Sequence, residues 1–441
     1  VNQILDEIVL AKLSEDHSID TAAQVHVFDG RIDDKAMSRV RRRDSTSTGA
    51  LAPGVRGSGL QDLESGMTSS HEAIIVGLGA MGSAVAYHLA RRGCKVLGFD
   101  RFHPPHTQGS SHGETRIIRE AYFEHPLYVP MVQRAFELWV ELEQGSRAVL
   151  YRQTGGVMIG AAESELVTGA LRSAREHGLA HELIDAAEIR ERFPVLQPAN
   201  DMVGVLEFRA GILFPERCVA MHLERAREAG ADLNFNEPVL TWEARGNGVR
   251  VFTGRGEYDA HQLIATTGPW VSGLFPELAL PFAIERQILY WFEAQGTADL
   301  FDPERCPIHL WQFDGRHFFY GFPDLGQGVK VARHHDGQMT TPDLADRDVS
   351  ANEVEDIRDL VRRFVPGADG PLRMSAVCLY TNTPDEHFWI DRHPAHPQVL
   401  IVSACSGHGF KFASVIGEVV ADSLVGGRSR FDLSLFRARF V

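Results

Sequence analysis

With 441 residues, 44% of them hydrophobic, the chain is long enough for two domains or one elaborated α/β unit with a large core. A formal charge of −15 argues against a general nucleic-acid or anionic-membrane binder and leaves any anionic ligand dependent on local cations. Five cysteines, Cys94, Cys218, Cys306, Cys378 and Cys405, form no CxxC pair and no metal-ligand spacing, which argues against a disulfide framework and fits a reducing, cytoplasmic compartment.

Residues 1–71 differ in texture from the rest. The basic cluster and the Ser, Thr, Gly and Pro of "RVRRRDSTSTGALAPGVRGSG" cannot bury enough apolar surface to offset ordering entropy, so a disordered N-terminal extension is expected, with "MTSSHEAIIVGLGAMG" from Met67 resembling a natural start. No signal-peptide pattern opens the chain, and Ile74 to Ala90 is too interrupted by Gly77, Gly79, Gly82 and His88 for a membrane span. From Glu72, "AIIVGLGAMGSAVAYHLARRGCKVLGFD" reads as strand, glycine turn, helix and a second strand ending at Asp100. Val132, Phe136, Trp139 and Leu142 recur at helical spacing; "CVAMHLERAREAGADLNF" reads as helix then strand, and "QLIATTGPW" as strand then turn. The alternation in "RQILYWFEA" and "RHFFYGFP" suggests antiparallel strands with one exposed face. Near the C-terminus, the apolar run "VLIVSAC" meets the glycine-rich "SGHGFKFA", with Gly407 and Gly409, before Phe412, Val415, Ile416, Val419 and Val420 resume helical spacing. Lys411 thus sits in a strand-to-helix turn among apolar neighbours, where a lysine needs a partner.

Gly77, Gly79 and Gly82 form GxGxxG between a strand and a helix, and Asp100 closes the next strand. In that context the glycines permit a tight turn and close approach of a pyrophosphate to the helix N-terminus, while the acid accepts from ribose hydroxyls. FAD and NAD share this fingerprint. "LIATTG" from Leu263 to Gly268 resembles a second signature of two-domain FAD oxidoreductases, which favours FAD.

Three further stretches carry a more specific resemblance. "PPHTQGSSHGETRIIR" (Pro104 to Arg119), "AVCLYTNTPDEHFWID" from Ala376 and "SGHGFKFASVIGE" from Ser406 are similar, in order, to the flavin loop and two C-terminal signatures of the monomeric sarcosine oxidase and N-methyl-tryptophan oxidase family, a likeness that spans Glu72 to Val441. From spacing alone, Arg116 and Arg119 would share one side of a helical turn, either as a solvated basic face or around an anion. The resemblance implies that Arg119 and Lys411 hold a substrate carboxylate and that Cys378 binds the flavin ring covalently. It implies that Lys330 helps reduced flavin meet oxygen, that His334, Tyr320 and Tyr380 surround the substrate amine, and that Arg116, His112 and Thr115 lie by the cofactor. Two positions depart from the family's usual pattern: Ser111 replaces a second histidine and Glu114 replaces an aspartate.

The expected fold is α/β, a Rossmann-like FAD-binding domain interleaved with a mixed, mainly antiparallel β-sheet substrate domain. The FAD-binding parts are expected at 72–152, 215–284 and 386–441, and the substrate parts at 153–214 and 285–385. The expected activity is oxidation of a secondary amino acid at its C–N bond to an imine, with oxygen reduced to hydrogen peroxide by a monomer that binds neither nucleic acid nor membrane and needs no metal. A flavin dehydrogenase with another electron acceptor, a non-catalytic flavoprotein and, more remotely, a nicotinamide dehydrogenase are the alternatives.

Overall fold

The computed structural model describes residues 71–296 and 298–438. The expected disordered extension and the Met67 start lie outside the described residues, except that His71 already opens the first strand.

The first sheet has eight strands. His71–Val76 runs parallel to Val96–Phe99 on one side and to Glu257–Ala265 on the other, with Ile75 opposite Gly98 and Ile264. Asp232–Asn234 and His396–Ser403 extend this parallel core, while the hairpin Val239–Arg245 and Gly248–Thr253, together with Trp389–His393, add antiparallel edges. Ala73 to Val76 are all buried, as a parallel strand covered on both faces requires. The helix Ala80–Ala90 packs on Ala413–Ala421, and a Cβ at Gly417 would lie 2.6 Å from the Ala84 backbone carbon, so the small residues of both helices allow their contact. Helix Tyr128–Glu143 buries Val132, Phe136, Trp139 and Leu142, the residues picked out by their spacing.

Among the described residues the second sheet has nine strands and is mixed and mainly antiparallel, with only the pair Gly156–Ala161 and Ile308–Phe313 parallel. At its centre Ala283–Phe292 pairs with Leu372–Asn382 along most of its length and with Val329–His334 on the other side. The expected exposed face is absent. Tyr290 and Phe292 join a core with Ile357, Leu360, Val361 and Phe364 of helix Ala351–Phe364, whereas Leu289 and Trp291 join Ala332, Cys378 and Tyr380. Period-two alternation is present, but both faces are covered. The helix on one of them starts at a capping box made by Ser350 and Glu353.

A small third sheet joins Arg116–Ile118 to Gly211–Leu213, which also pairs with Tyr151–Gln153. This corrects the helical reading of the two arginines. Arg116 opens a strand containing the β-branched Ile117 and Ile118, and Arg119 follows its end, so the two cations share no helix face. Among the described residues no helix is long and apolar enough to cross a membrane.

Candidate functional site

A cavity of about 450 Å³ runs from the glycine turn of the first sheet to the interior of the second. Gly77, Gly79 and Asp100 line one end. The Asp100 carboxylate accepts from Leu78 N at 2.7 Å and Phe102 N at 2.8 Å, which fixes it beside the turn. Burial raises its pKa, and those two backbone donors oppose the shift. Helix Ala80–Ala90 has no side-chain cap at Gly79, although Ser111 Oγ accepts from Ala80 N at 3.2 Å. A Cβ at Gly79 would meet only that Oγ, at 3.6 Å, so the turn is open toward the cavity. Gly82 has another role. It is off the wall, and a Cβ there would fall 1.8 Å from Gly77 O. A helix start without a capping side chain at Gly79, an open glycine and a fixed acid fit the pyrophosphate and ribose of a dinucleotide.

In the middle of the cavity, Cys378 and Tyr380 project from Leu372–Asn382, Tyr320 from His317–Asp324 and His334 from the end of Val329–His334. Arg116 donates to Thr115 O and Ser110 O, both at 2.8 Å, so its charge is held against the 110–115 loop. Burial pushes the Cys378 thiol up, opposed by Arg116, Lys330 and Arg347. The hydroxyls of Tyr320 and Tyr380 are hydrogen-bonded, and burial raises both. His334 contacts the Tyr380 hydroxyl through Nδ1 at 3.3 Å; burial, followed by neighbouring cations, pushes its pKa well down. No strong base stands among these groups. Gly407 (φ +75) brings the C-terminal turn against them: a Cβ would come within 2.6 Å of both His334 Cε1 and Tyr380 Cε2. Gly409 and Thr115 also line the wall.

Two expected cofactor neighbours sit behind it. Lys330 donates to Gly113 O (2.6 Å), Thr115 O (3.0 Å) and Thr115 Oγ1 (2.8 Å), matching the three hydrogens of an ammonium, while burial and then Arg116 push its pKa well down. Glu216 fixes the same loop from the other side, accepting from Gly113 N and Glu114 N. His112 is buried, its Nε2 has no hydrogen-bond partner among the described residues, and burial lowers its pKa to about 3. Lys330 thus faces the loop, and neither it nor His112 lines the open cavity; the loop turns at Gly113 and Glu114, both with positive φ.

At the far end the cavity meets Arg119 and Lys411. Arg119 donates to both oxygens of Glu124, at 2.9 and 2.8 Å, and to Ala121 O at 2.9 Å. Glu207 stiffens this segment by accepting from Glu120 N and Ala121 N, and burial raises its pKa to about 7. Burial works to raise the Glu124 carboxyl, but Arg119, His408 and Lys411 outweigh it and hold it below the ordinary value. Among the described residues no carboxylate is hydrogen-bonded to Lys411. Lys411 donates to His408 O at 2.8 Å and Tyr122 OH at 3.3 Å, and burial, followed by Arg119, lowers its pKa to about 7. With Lys411 protonated, the inner end carries two cations against one anion and can take one more negative charge.

Sequence reasoning missed Glu124, Tyr122 and His408. Glu124 lies five residues beyond Arg119 in a stretch without helix or strand, so no periodicity links them. His408 lies inside the quoted C-terminal motif; the signal was its neighbourhood to Lys411.

The family model for FAD dependent oxidoreductases matches residues 72–423. The chain is 45% identical over 377 residues to a monomeric sarcosine oxidase of Streptomyces avermitilis, covering 85% of this chain and 98% of that protein. It is 37% identical over 369 residues to an N-methyl-L-tryptophan oxidase of Salmonella arizonae, covering 83% and 98%. Solved structures with the same fold include the amino acid oxidase NikD, with TM-score 0.73, 22% identity and coverage of 84% and 98%. L-proline dehydrogenase from P. horikoshii also matches, with TM-score 0.73, 19% identity and coverage of 84% and 97%. Sequence identity of 45% and 37% over nearly the full length of these two relatives, with the family model matched over residues 72–423, places the chain in the monomeric sarcosine oxidase and N-methyl-L-tryptophan oxidase family of FAD-dependent oxidoreductases.

Proposed function

We propose that this protein is an FAD-dependent oxidase of secondary amino acids, converting the C–N bond to an imine while oxygen becomes hydrogen peroxide. The observation that carries the reading is the single cavity that joins the glycine turn to Arg119 and Lys411. Bound FAD supplies the two-electron acceptor chemistry. Gly77, Gly79 and Asp100 would hold its dinucleotide portion, with Gly407 and Gly409 close to the ring, and Cys378 would anchor the ring through its sulfur.

The protein's own work is orientation. Lys411 and Arg119 give charge-assisted bonds to the substrate carboxylate, which fixes the α-carbon and nitrogen relative to Tyr320, Tyr380 and His334. Those three groups are neutral, so they can exchange hydrogen bonds with the amine but do not hold it as an ammonium. Nearby cations favour the unprotonated amine, the form with a lone pair to give. Arg116 on the cavity wall and Lys330 behind the 110–115 loop would supply positive charge beside a bound flavin ring and so favour the negative charge of its reduced form and of reduced oxygen.

A peroxide assay over a panel of secondary amino acids tests the proposal. Hydrogen peroxide equimolar with oxidised amine supports it. Reduction of the bound flavin without peroxide formation would indicate a dehydrogenase instead, and absence of flavin bleaching by every member would indicate a non-catalytic flavoprotein.

A further inference from the structure

We infer that Tyr122 is a positioning residue that sets the placement of Arg119 and Lys411 together and favours the charged form of Lys411. The inference rests on the proposed role of those two cations. Tyr122 is fully buried and lies behind the cavity wall, so it acts only through its neighbours. The Arg119 guanidinium carbon stands 4.4 Å from the centre of its ring, and Lys411 Nζ lies 3.3 Å from its hydroxyl. One side chain therefore offers a π face to the first cation and an oxygen lone pair to the second.

The hydrogen bonds around that hydroxyl run in one direction. Tyr122 OH is 2.6 Å from His408 Nδ1, and His408 Nε2 is 3.0 Å from Glu386 O. A carbonyl can only accept, so Nε2 carries the imidazole hydrogen, Nδ1 accepts, and the tyrosine hydroxyl donates to it. The phenol oxygen is then left as an acceptor, and Lys411 is its donor. His408 O takes a second ammonium hydrogen at 2.8 Å, which leaves the third for a ligand oxygen. The base of Tyr122 is fixed as well, because Ser173 Oγ donates to its carbonyl at 2.5 Å and its ring packs on Tyr128 and Phe412.

The titratable and charged groups facing Lys411 are Arg119, Glu124, His408, His334 and Tyr122. Arg119 is raised and remains charged, Glu124 is lowered and remains ionised, the two histidines are lowered and remain neutral, and Tyr122 is raised and remains a phenol. Lys411 is the member of this group that changes charge near neutrality. An acceptor for its ammonium favours the charged form, so loss of the Tyr122 oxygen moves the titration to lower pH.

The test uses the flavin-loaded enzyme and propionate as a non-oxidisable carboxylate, with Kd followed by the flavin spectrum across pH. Tyr122→Phe keeps the ring beneath Arg119 and removes the oxygen; the pH at which affinity begins to fall should move acid-ward by about half to one unit, a shift that simple loosening of the site would not produce. Tyr122→Leu also removes the π face, and its Kd should rise at every pH. His408→Leu leaves Tyr122 in place but removes its acceptor and should shift the midpoint in the same direction, which keeps the test available if a Tyr122 variant fails to fold. Wild-type midpoints in Tyr122→Phe and His408→Leu overturn the inference. If Lys411→Met binds propionate as the wild type does, the role of Lys411 falls instead.

Discussion

Lys411 gives the account a pH signature with a definite sign. Its pKa in the ligand-free protein is lowered to about 7, and a bound carboxylate stabilises the charged form and raises it. Carboxylate affinity is therefore greatest below that pH and falls above it, as a proton must be taken up to form the charged pair. From about pH 6 to about pH 8 the charged fraction drops from about nine-tenths to about one-tenth, so Kd for propionate should rise about tenfold. Lys411→Arg, which keeps its charge over this range, should flatten that slope. Lys411→Met should also lose the slope and should bind more weakly at low pH by about 1.5–3 kcal/mol, a factor of roughly 10 to 150. Spectral titration of the loaded enzyme reads all three. The turnover rate has the opposite trend because the substrate amine must lose its proton, so kcat should rise with pH while affinity declines. A wild-type Kd that is level across the interval, matched by an unchanged Lys411→Met, would refute the reasoning.

Other consequences can be checked separately. Cys378→Ala should leave the yellow colour in the supernatant after acid precipitation, whereas wild-type colour should stay with the precipitate. Glu124→Gln removes the anion that occupies Arg119, so propionate should bind more tightly while the fold loses about 3–5 kcal/mol in denaturant melts, the usual cost of leaving one buried charge without its partner. Gly407→Ala would put a methyl within 2.6 Å of His334 and Tyr380 at a positive φ, and should lower kcat and cost about 1–3 kcal/mol of stability. His222, His309 and His408 are held neutral by burial with pKa values of about 3, below the ordinary 6.5. The unfolded chain binds more protons in that window, so their stabilisation is complete above about pH 6.5 and is lost as pH falls toward 3, readable as a falling denaturant midpoint.

Much of the framework was legible because local pattern and tertiary role coincide. The apolar AIIV run, the glycines after it and Asp100 belong to one strand-turn-helix-strand unit, so the sequence order carries the geometry. Lys411 was legible as an oddity, a charge among apolar neighbours, and it is buried. The two arginines misled, since spacing of three has meaning only once the element is known, and Ile117 and Ile118 favour the strand that forms. The exposed face expected for RQILYWFEA (286–294) failed for another reason. Polar–apolar alternation reports which way side chains point, while the helix at 351–364 that covers one side lies far along the chain. Glu124 and Tyr122 were beyond sequence reading, because their importance depends on contacts with Arg119 and Lys411 that no local repeat encodes.

The central claim, that two buried cations hold the substrate by its carboxylate, is tested most directly by comparing kcat/KM for an oxidised secondary amino acid with that for its primary amide. Loss of two charge-assisted interactions should reduce the amide's kcat/KM by roughly 10² to 10⁴. An amide turned over as efficiently as the free acid would contradict the claim.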